Sequence, residues 1–305
     1  MALKGIIPPI GTPVTPDERV DEKGLRNLVR YLIDGGVHGI FANGTMGCFA
    51  LLSDAEQMRL IEIVVDEVGG RVPVIAGVSD SGTSRVIAKV KEAVALKADY
   101  VTAVPPYYYR LTQDQGTRFF RDLAQASEVP VFVYNNPYLT NLDLSIESIV
   151  EIANEPNIVG LKETNQDCNR WTDLFAELKA NDGFGLFFGT ELLIPQCLMM
   201  GADGVIGGAH NMAPRIAADL YDAVIAKDYE TAFAKSDELK RVCGVFKYGD
   251  IWGGFEAALQ LLGICEKTTL EPYVSCGSED KEGVRQILQE LGLEIADGRA
   301  LGQAE

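Results

Sequence analysis

The sequence predicts an α/β fold, a closed (β/α)8 barrel with additional C-terminal helices. Two observations carry that expectation: eight short apolar, β-branched runs recur along the chain, and helical apolar stripes fill the gaps between them. The runs lie at 5–14, 38–43, 72–78, 100–105, 129–134, 158–163, 184–189 and 204–208. Leu25, Leu28, Val29, Leu32 and Ile33 recur at the spacing of one helical face, and Met58, Ile61, Val65, Val68 and then Val86, Val90, Ala93 repeat the pattern. Each stripe would cover the outside of a sheet.

The junctions carry matching turn chemistry. Asp34-Gly35-Gly36 ends the first helix, while Val72-Pro73 and Val129-Pro130 stand where strands begin. An open doubly wound sheet is the competing architecture, but the Gly-x-Gly-x-x-Gly it needs after the first strand is missing. The eight units occupy 1–226. Segment 227–305 reads as further helices, one of them striped by Val284, Ile287, Leu288 and Leu291, and no Ser- or Pro-rich linker precedes it. It is expected as a helical appendage of the same domain.

Composition narrows the partners. With 47% apolar and 23% charged residues, the 305-residue chain can bury a large core. A formal charge of −17 argues against nucleic acid and anionic membrane surfaces. Met1–Val14 is apolar but carries Pro8, Pro9 and Pro13 and lacks the charged start and small-residue cleavage site of a signal peptide, and no uncharged run approaches the ~20 residues of a membrane span, so neither is expected. Six cysteines show no Cys-x-x-Cys spacing, which disfavours a zinc site or a disulfide scaffold and suits a reducing cytoplasm. The two histidines, His38 and His210, form no metal-ligand motif, and neither a metal nor an organic cofactor is expected.

A barrel of this kind keeps its active site at the carboxyl ends of its strands. That filter selects Thr45, Tyr107 to Tyr109, Tyr134, Lys162, Thr190, Glu191 and the stretch Gly207 to His210. In Ile158-Val159-Gly160-Leu161-Lys162, period-two alternation puts Ile158, Gly160 and Lys162 on one face. If that face is inward, desolvation disfavours the ammonium and frees the amine to attack a carbonyl carbon, with Gly160 leaving room for the adduct. Taken alone, a strand-end lysine whose head snorkels to water fits the same pattern equally well. Tyr134 closes Val131-Phe132-Val133-Tyr134, where a packing role is the commoner one. The glycine-flanked turn Gly44-Thr45-Met46-Gly47 offers backbone N–H groups to a carboxylate, or is merely a connection.

Together these pieces resemble the dihydrodipicolinate synthase and N-acetylneuraminate lyase family over essentially the whole chain. The matching motifs are Gly11-Thr12-Pro13, Gly44-Thr45-x-Gly47, Pro106-Tyr107-Tyr108, Tyr134-Asn135-x-Pro137, Gly160-Leu161-Lys162-Glu163-Thr164 and Gly201-Ala202-Asp203-Gly204-Val205-Ile206, with Asn211 and Pro214 beyond. The resemblance implies a class I, imine-forming pyruvate lyase that is a homotetramer. Lys162 matches the Schiff-base lysine and Tyr134 the proton carrier. Thr45 and Tyr108 match the partners of a hydroxyl relay, with Tyr108 reaching a neighbouring subunit, and Thr45-Met46 matches the pyruvate carboxylate site. Gly189, Glu191, Ile206, Gly207 and Leu139 are the remaining candidates for substrate contact.

Departures from the family pattern bear on the substrate. Met46 and Cys48 stand where the family usually has Thr and Glu. Leu139 replaces the arginine with which the synthases bind the carboxylate of aspartate semialdehyde, so synthase activity would need another cation, Arg110 being the candidate. Gly189-Thr190-Glu191-Leu192 and Gly207-Gly208 differ from the sialic acid lyases. Tyr134-Asn-x-Pro-x-Leu-Thr140 is most similar to the subgroup cleaving 2-keto-3-deoxy sugar acids, although Asn141 stands where that subgroup has Gly. That cleavage is the leading expectation. The alternatives are the synthase, the sialic acid lyase, a dehydratase or hydratase-aldolase, and a barrel relative that binds ligand without turnover. Trp252 reads either as pocket wall or as core, and His210 more readily as structural than as an acid or base.

Overall fold

The computed structural model describes residues 3–178, 181 and 183–296. Eight parallel strands run β1 (Gly5–Ile6), β2 (Ile40–Ala42), β3 (Val74–Gly77), β4 (Tyr100–Ala103), β5 (Val131–Asn135), β6 (Ile158–Glu163), β7 (Gly185–Phe188) and β8 (Gly204–Val205). Their order is β1-β8-β7-β6-β5-β4-β3-β2. The ring closes between β1 and β2 through a bridge from Pro9 to Phe41, with Ile10 N–H donating to Phe41 O and Phe41 N–H to Pro8 O, both at 2.9 Å. The architecture is the (β/α)8 barrel.

The sequence pattern overstates the first and last strands. Pro8 and Pro9 have no N–H to give a ladder, so the stretch expected as strand 5–14 pairs regularly only at Gly5–Ile6 and then continues as an extended segment. Likewise 204–208 shortens to two residues, because the chain turns at Gly207 into a 3-10 turn, Gly208–Asn211.

Alternation sorts side chains into two apolar layers. Ile7, Phe41, Ile75, Phe132, Phe187 and Ile206 pack against one another in the barrel interior. Val131, Val133, Leu161 and Phe188 face outward, into the layer shared with the helices. These helices are α1 (Glu22–Asp34), α2 (Asp54–Val68), α3 (Thr83–Ala95), α4 (Gln113–Ala126), α5 (Ile146–Ala153), α6 (Cys168–Leu178), α7 (Ile194–Met200) and α8 (Pro214–Ile225). In α1, Leu25, Leu28, Val29 and Leu32 are wholly buried, as their spacing requires.

Three further helices follow, α9 (Tyr229–Val242), α10 (Ile251–Leu261) and α11 (Ser278–Glu290). Leu239, Phe255, Val284 and Leu288 belong to the same outer core as the barrel helices. The last nine residues of the expected appendage, 297–305, lie outside the described residues. Among those described, no helix is long and apolar enough to cross a membrane.

Candidate active site

The centre of the site is built by the pairing of β5 with β6, whose register sets Tyr134 opposite Lys162 and Asn135 opposite Glu163. Period two then sends Tyr134 and Lys162 into the barrel and Asn135 and Glu163 to its outer side. On that outer side Glu163, fully buried, accepts from the Asn135 amide at 2.9 and 3.0 Å and from Asn165 N–H at 2.8 Å, and pairs with Arg170 at 3.0 Å. Burial raises the Glu163 carboxyl above its usual range, against the opposing pull of Arg170 and these donors. The clamp ties β5, β6 and α6 together behind the site.

Inside, Lys162 is 6% exposed, and its Nζ lies 4.0 Å from the ring centroid of Tyr134 and 5.4 Å from that of Phe41. Tyr134 Oη is 3.3 Å from Thr45 Oγ1 and accepts from Asn136 Nδ2 at 3.2 Å. Burial alone would push the phenol upward. The Lys162 charge and hydrogen bonds with Thr45, Lys162 and Asn136 outweigh it, holding Tyr134 below the ordinary tyrosine value.

Thr45 opens a 3-10 turn, Thr45–Gly47, held from both sides. Asn43, with φ of +58°, donates its amide to Gly77 O at 2.7 Å, and Thr12 Oγ1 donates to Gly47 O at 2.7 Å. The turn's own bonds use the N–H groups of Gly47 and Cys48, which leaves those of Thr45 and Met46 outside them, as at any helix start.

The opposite wall comes from β7 and β8. Half-buried Glu191 accepts from Ala209 N–H at 2.8 Å, and a Cβ on Gly207 would fall 2.8 Å from its carboxyl carbon. Gly207 therefore makes room for Glu191. Burial raises this carboxyl too, with the Ala209 N–H and the Lys162 charge opposing. Gly189 N–H donates to Glu163 O at 2.7 Å, and Ile206 lies in the interior layer. His210 is fully buried with neither ring nitrogen hydrogen-bonded among the described residues, and burial, with the Lys162 charge adding, pushes it down to about 3.

Lys162, Tyr134 and Thr45 are thus brought together, while Met46, Gly189, Glu191, Ile206 and Gly207 belong to the strand ends around them. Tyr108 and Leu139 are not gathered in, being 77% and 62% exposed. Tyr108 carries a φ of +82°, and its carbonyl accepts from Asn141 Nδ2 at 2.9 Å. The expectation that Gly160 leaves room for an adduct is overturned, since a Cβ there would lie 2.2 Å from the Phe132 ring, which fills the space. Trp252 is half-buried against the outer core and packs on Tyr273 with ring centroids 5.6 Å apart. Burial pushes the Cys48 thiol up to about 12.

The sequence reading missed Asn136. Its signal is a side-chain amide two residues beyond Tyr134, on the same face by period two, at the x of Tyr134-Asn135-x-Pro137.

An amine, a phenol and a hydroxyl in mutual reach can form an imine and move its protons. A model of the dihydrodipicolinate synthetase family matches residues 2–291. The chain belongs to that family. It is therefore an imine-forming class I lyase. Its relatives include a 4-hydroxy-tetrahydrodipicolinate synthase of Methanopyrus kandleri, 34% identical over 95% of this chain and 97% of that one. A DapA-like lyase of Halobacterium salinarum, itself uncharacterized, is 33% identical over 96% and 95%. Among solved structures, the chloride-inhibited dihydrodipicolinate synthase of Acinetobacter baumannii, complexed with pyruvate, superposes with a TM-score of 0.90 at 30% identity, covering 96% of this chain and all of that one.

Proposed function

We propose that the protein cleaves a 2-keto-3-deoxy sugar acid to pyruvate and an aldehyde, with Lys162 as the imine-forming amine and Tyr134 as the proton carrier. The observation that carries this is the buried contact of Lys162 with Tyr134, whose hydroxyl meets Thr45 at 3.3 Å. Lys162 Nζ adds to C2 of the substrate, water leaves, and the resulting iminium accepts the electron pair of the C3–C4 bond. The C4 hydroxyl gives its proton to Tyr134, C4 departs as the aldehyde carbonyl, and the enamine left on Lys162 is protonated at C3 and hydrolysed to pyruvate. The N–H groups of Thr45 and Met46 suit the substrate carboxylate. Pyruvate as product is in keeping with the ligand of the Acinetobacter synthase.

Two features favour a neutral, hydroxylated aldehyde over an anionic one. Leu139 offers no charge where the synthases have arginine, and Glu191 sets a carboxyl group, not a cation, beside Gly207. Gly189 and Ile206 complete the contacts proposed for substrate. Tyr108 is proposed to complete the relay in a neighbouring copy of a homotetramer. Its 77% exposure, beside Tyr109 at 71%, and its left-handed backbone suit a residue held outward for a partner.

Incubation with pyruvate and borohydride tests the mechanism. One reduced pyruvyl group per chain is expected at Lys162 and none in Lys162→Ala; labelling elsewhere would overturn the assignment. The substrate is tested on the same preparation by pyruvate release from 2-keto-3-deoxy sugar acids and by condensation of pyruvate with aspartate semialdehyde. Efficient condensation with no cleavage would establish the synthase instead, with Arg110, exposed beside the Tyr107 to Tyr109 run, as the cation to examine.

A further inference from the structure

Asn136 is 4% exposed, and its amide donates to Tyr134 Oη at 3.2 Å. Its backbone is held in a turn, since Asn136 O accepts from Leu139 N–H at 3.2 Å, Thr140 N–H at 3.1 Å and Thr140 Oγ1 at 3.0 Å. An amide N–H can only donate, so toward Asn136 the phenol oxygen must accept, and the phenolic proton has to point elsewhere. Thr45 Oγ1, 3.3 Å away, is the oxygen within its reach, and either hydroxyl of that pair can donate.

Lys162 also lies against this phenol, its Nζ 4.0 Å from the ring centroid. That contact belongs to the free side chain. Once the nitrogen is bonded to C2 of a substrate it keeps one proton at most, and its direction is set by the imine plane. Asn136 is the donor that stays in place while the C3–C4 bond breaks.

We infer that Asn136 is a positioning residue for the proton transfer, holding Tyr134 Oη as an acceptor and directing its O–H toward Thr45. The inference rests on the reading of Lys162 and Tyr134 given above. In the cleavage direction the phenolic proton passes to Thr45 Oγ1 as the Thr45 hydroxyl, which is only partly buried, releases its own to solvent at the barrel mouth, and the C4 hydroxyl proton takes its place on Tyr134. The C3–C4 pair neutralises the iminium as an enamine, and C4 leaves as a carbonyl. Asn136 gains and loses no proton; it stabilises the phenolate between the two transfers.

The test is the tyrosinate absorbance of the pyruvate-saturated protein as pH is raised, read as the difference between each protein and its Tyr134→Phe counterpart. The wild-type difference should titrate below the ordinary tyrosine value of about 10. Asn136→Leu, similar in volume but without a donor, should move the midpoint up by about one pH unit. Asn136→Asp, which replaces the donor with an acceptor of the same shape, should move it at least as far and decides the matter if the leucine variant does not fold. Borohydride trapping at Lys162 should stay within about twofold in both, because the amine is untouched. An unmoved midpoint with trapping intact would overturn the role of Asn136 alone. Loss of trapping in the wild-type protein would overturn the reading beneath it, and the inference with it.

Discussion

Replacing Arg170 should destabilise the protein by an amount that grows with pH. Arg170, 12% exposed at its side chain, pairs at 3.0 Å with Glu163, which is wholly buried directly behind Lys162. Removing one partner of such a pair leaves an uncompensated buried charge, at a cost of about 3–5 kcal/mol. The sign follows from Glu163. Burial already holds its folded pKa above the unfolded value, so its favourable contribution is complete below the unfolded value and is lost as pH rises through the folded one. Arg170→Met removes the main influence opposing burial and pushes that pKa higher. At pH 5 the carboxyl can stay protonated and needs no cation; at pH 8 the protein must either bury a bare carboxylate or hold a proton against solvent. With about 2 °C per kcal/mol in a chain of this size, the midpoint of thermal unfolding should fall by about 6–10 °C at pH 8, and by less than half of that at pH 5. Glu163→Gln/Arg170→Met should recover most of the loss, since the glutamine can still accept from Asn135. Differential scanning calorimetry of the three proteins at both pH values makes the comparison. A deficit of equal size at both, or no recovery in the double variant, would refute the reasoning.

Tyr134→Phe should keep borohydride trapping by pyruvate while pyruvate release from a sugar acid falls by about 10²–10⁴, because the amine stays and the proton carrier goes; near wild-type turnover would remove Tyr134 from the reaction. Gly207→Ala sets a methyl 2.8 Å from the Glu191 carboxyl carbon, too close for Glu191 to stay in place, so KM for the aldehyde-bearing substrate should rise with trapping of pyruvate unchanged, and an unaltered KM would free Glu191 from substrate contact. Among the described residues no group of three or more His, Cys, Asp or Glu could hold a metal. Activity should accordingly survive dialysis against EDTA; loss that Zn²⁺ or Mg²⁺ restores would contradict an imine as the electron sink. Tyr108→Ala should lower turnover and be complemented on mixing with Lys162→Ala subunits if the hydroxyl crosses between copies, whereas strictly additive activities would place its role within one chain.

The barrel was legible because its two periodicities are local. The face formed by Leu25, Leu28, Val29 and Leu32 needs only the helical repeat, and the inward set of Phe132 and Tyr134 needs only the pleat. Where tertiary pairing decides, the pattern misjudged length. An apolar run through Pro8 and Pro9 reads as a strand although those two residues have no N–H to donate to a ladder, and at Gly207 the chain turns with the Glu191 carboxyl packed against it.

The same division runs through the site. Lys162 and Tyr134 stood out because each ends an alternating run, and the β5/β6 register then sets them opposite each other. Thr45 lies 89 positions from Tyr134, and its contact with that hydroxyl exists only because closing the barrel brings β2 and β5 to a common mouth. Its place after the second strand was readable locally, and its match to the hydroxyl relay came from motif resemblance; no local rule would have supplied the contact itself. Gly160 shows how a local argument fails: alternation put it correctly beneath Lys162, but whether a glycine leaves a space depends on its neighbours, and Phe132 on the adjoining strand takes that space. Asn136 is the converse. Period two puts it on the same face as Tyr134, but it lies just beyond the strand, in a turn whose direction no alternation predicts. The hydrogen bonds of Leu139 and Thr140 to its carbonyl close that turn, and the amide reaches the phenol from it. Residues that react were therefore readable from where strands end, and the residues that aim them were not, because aiming is done by turns and by contacts across the ring.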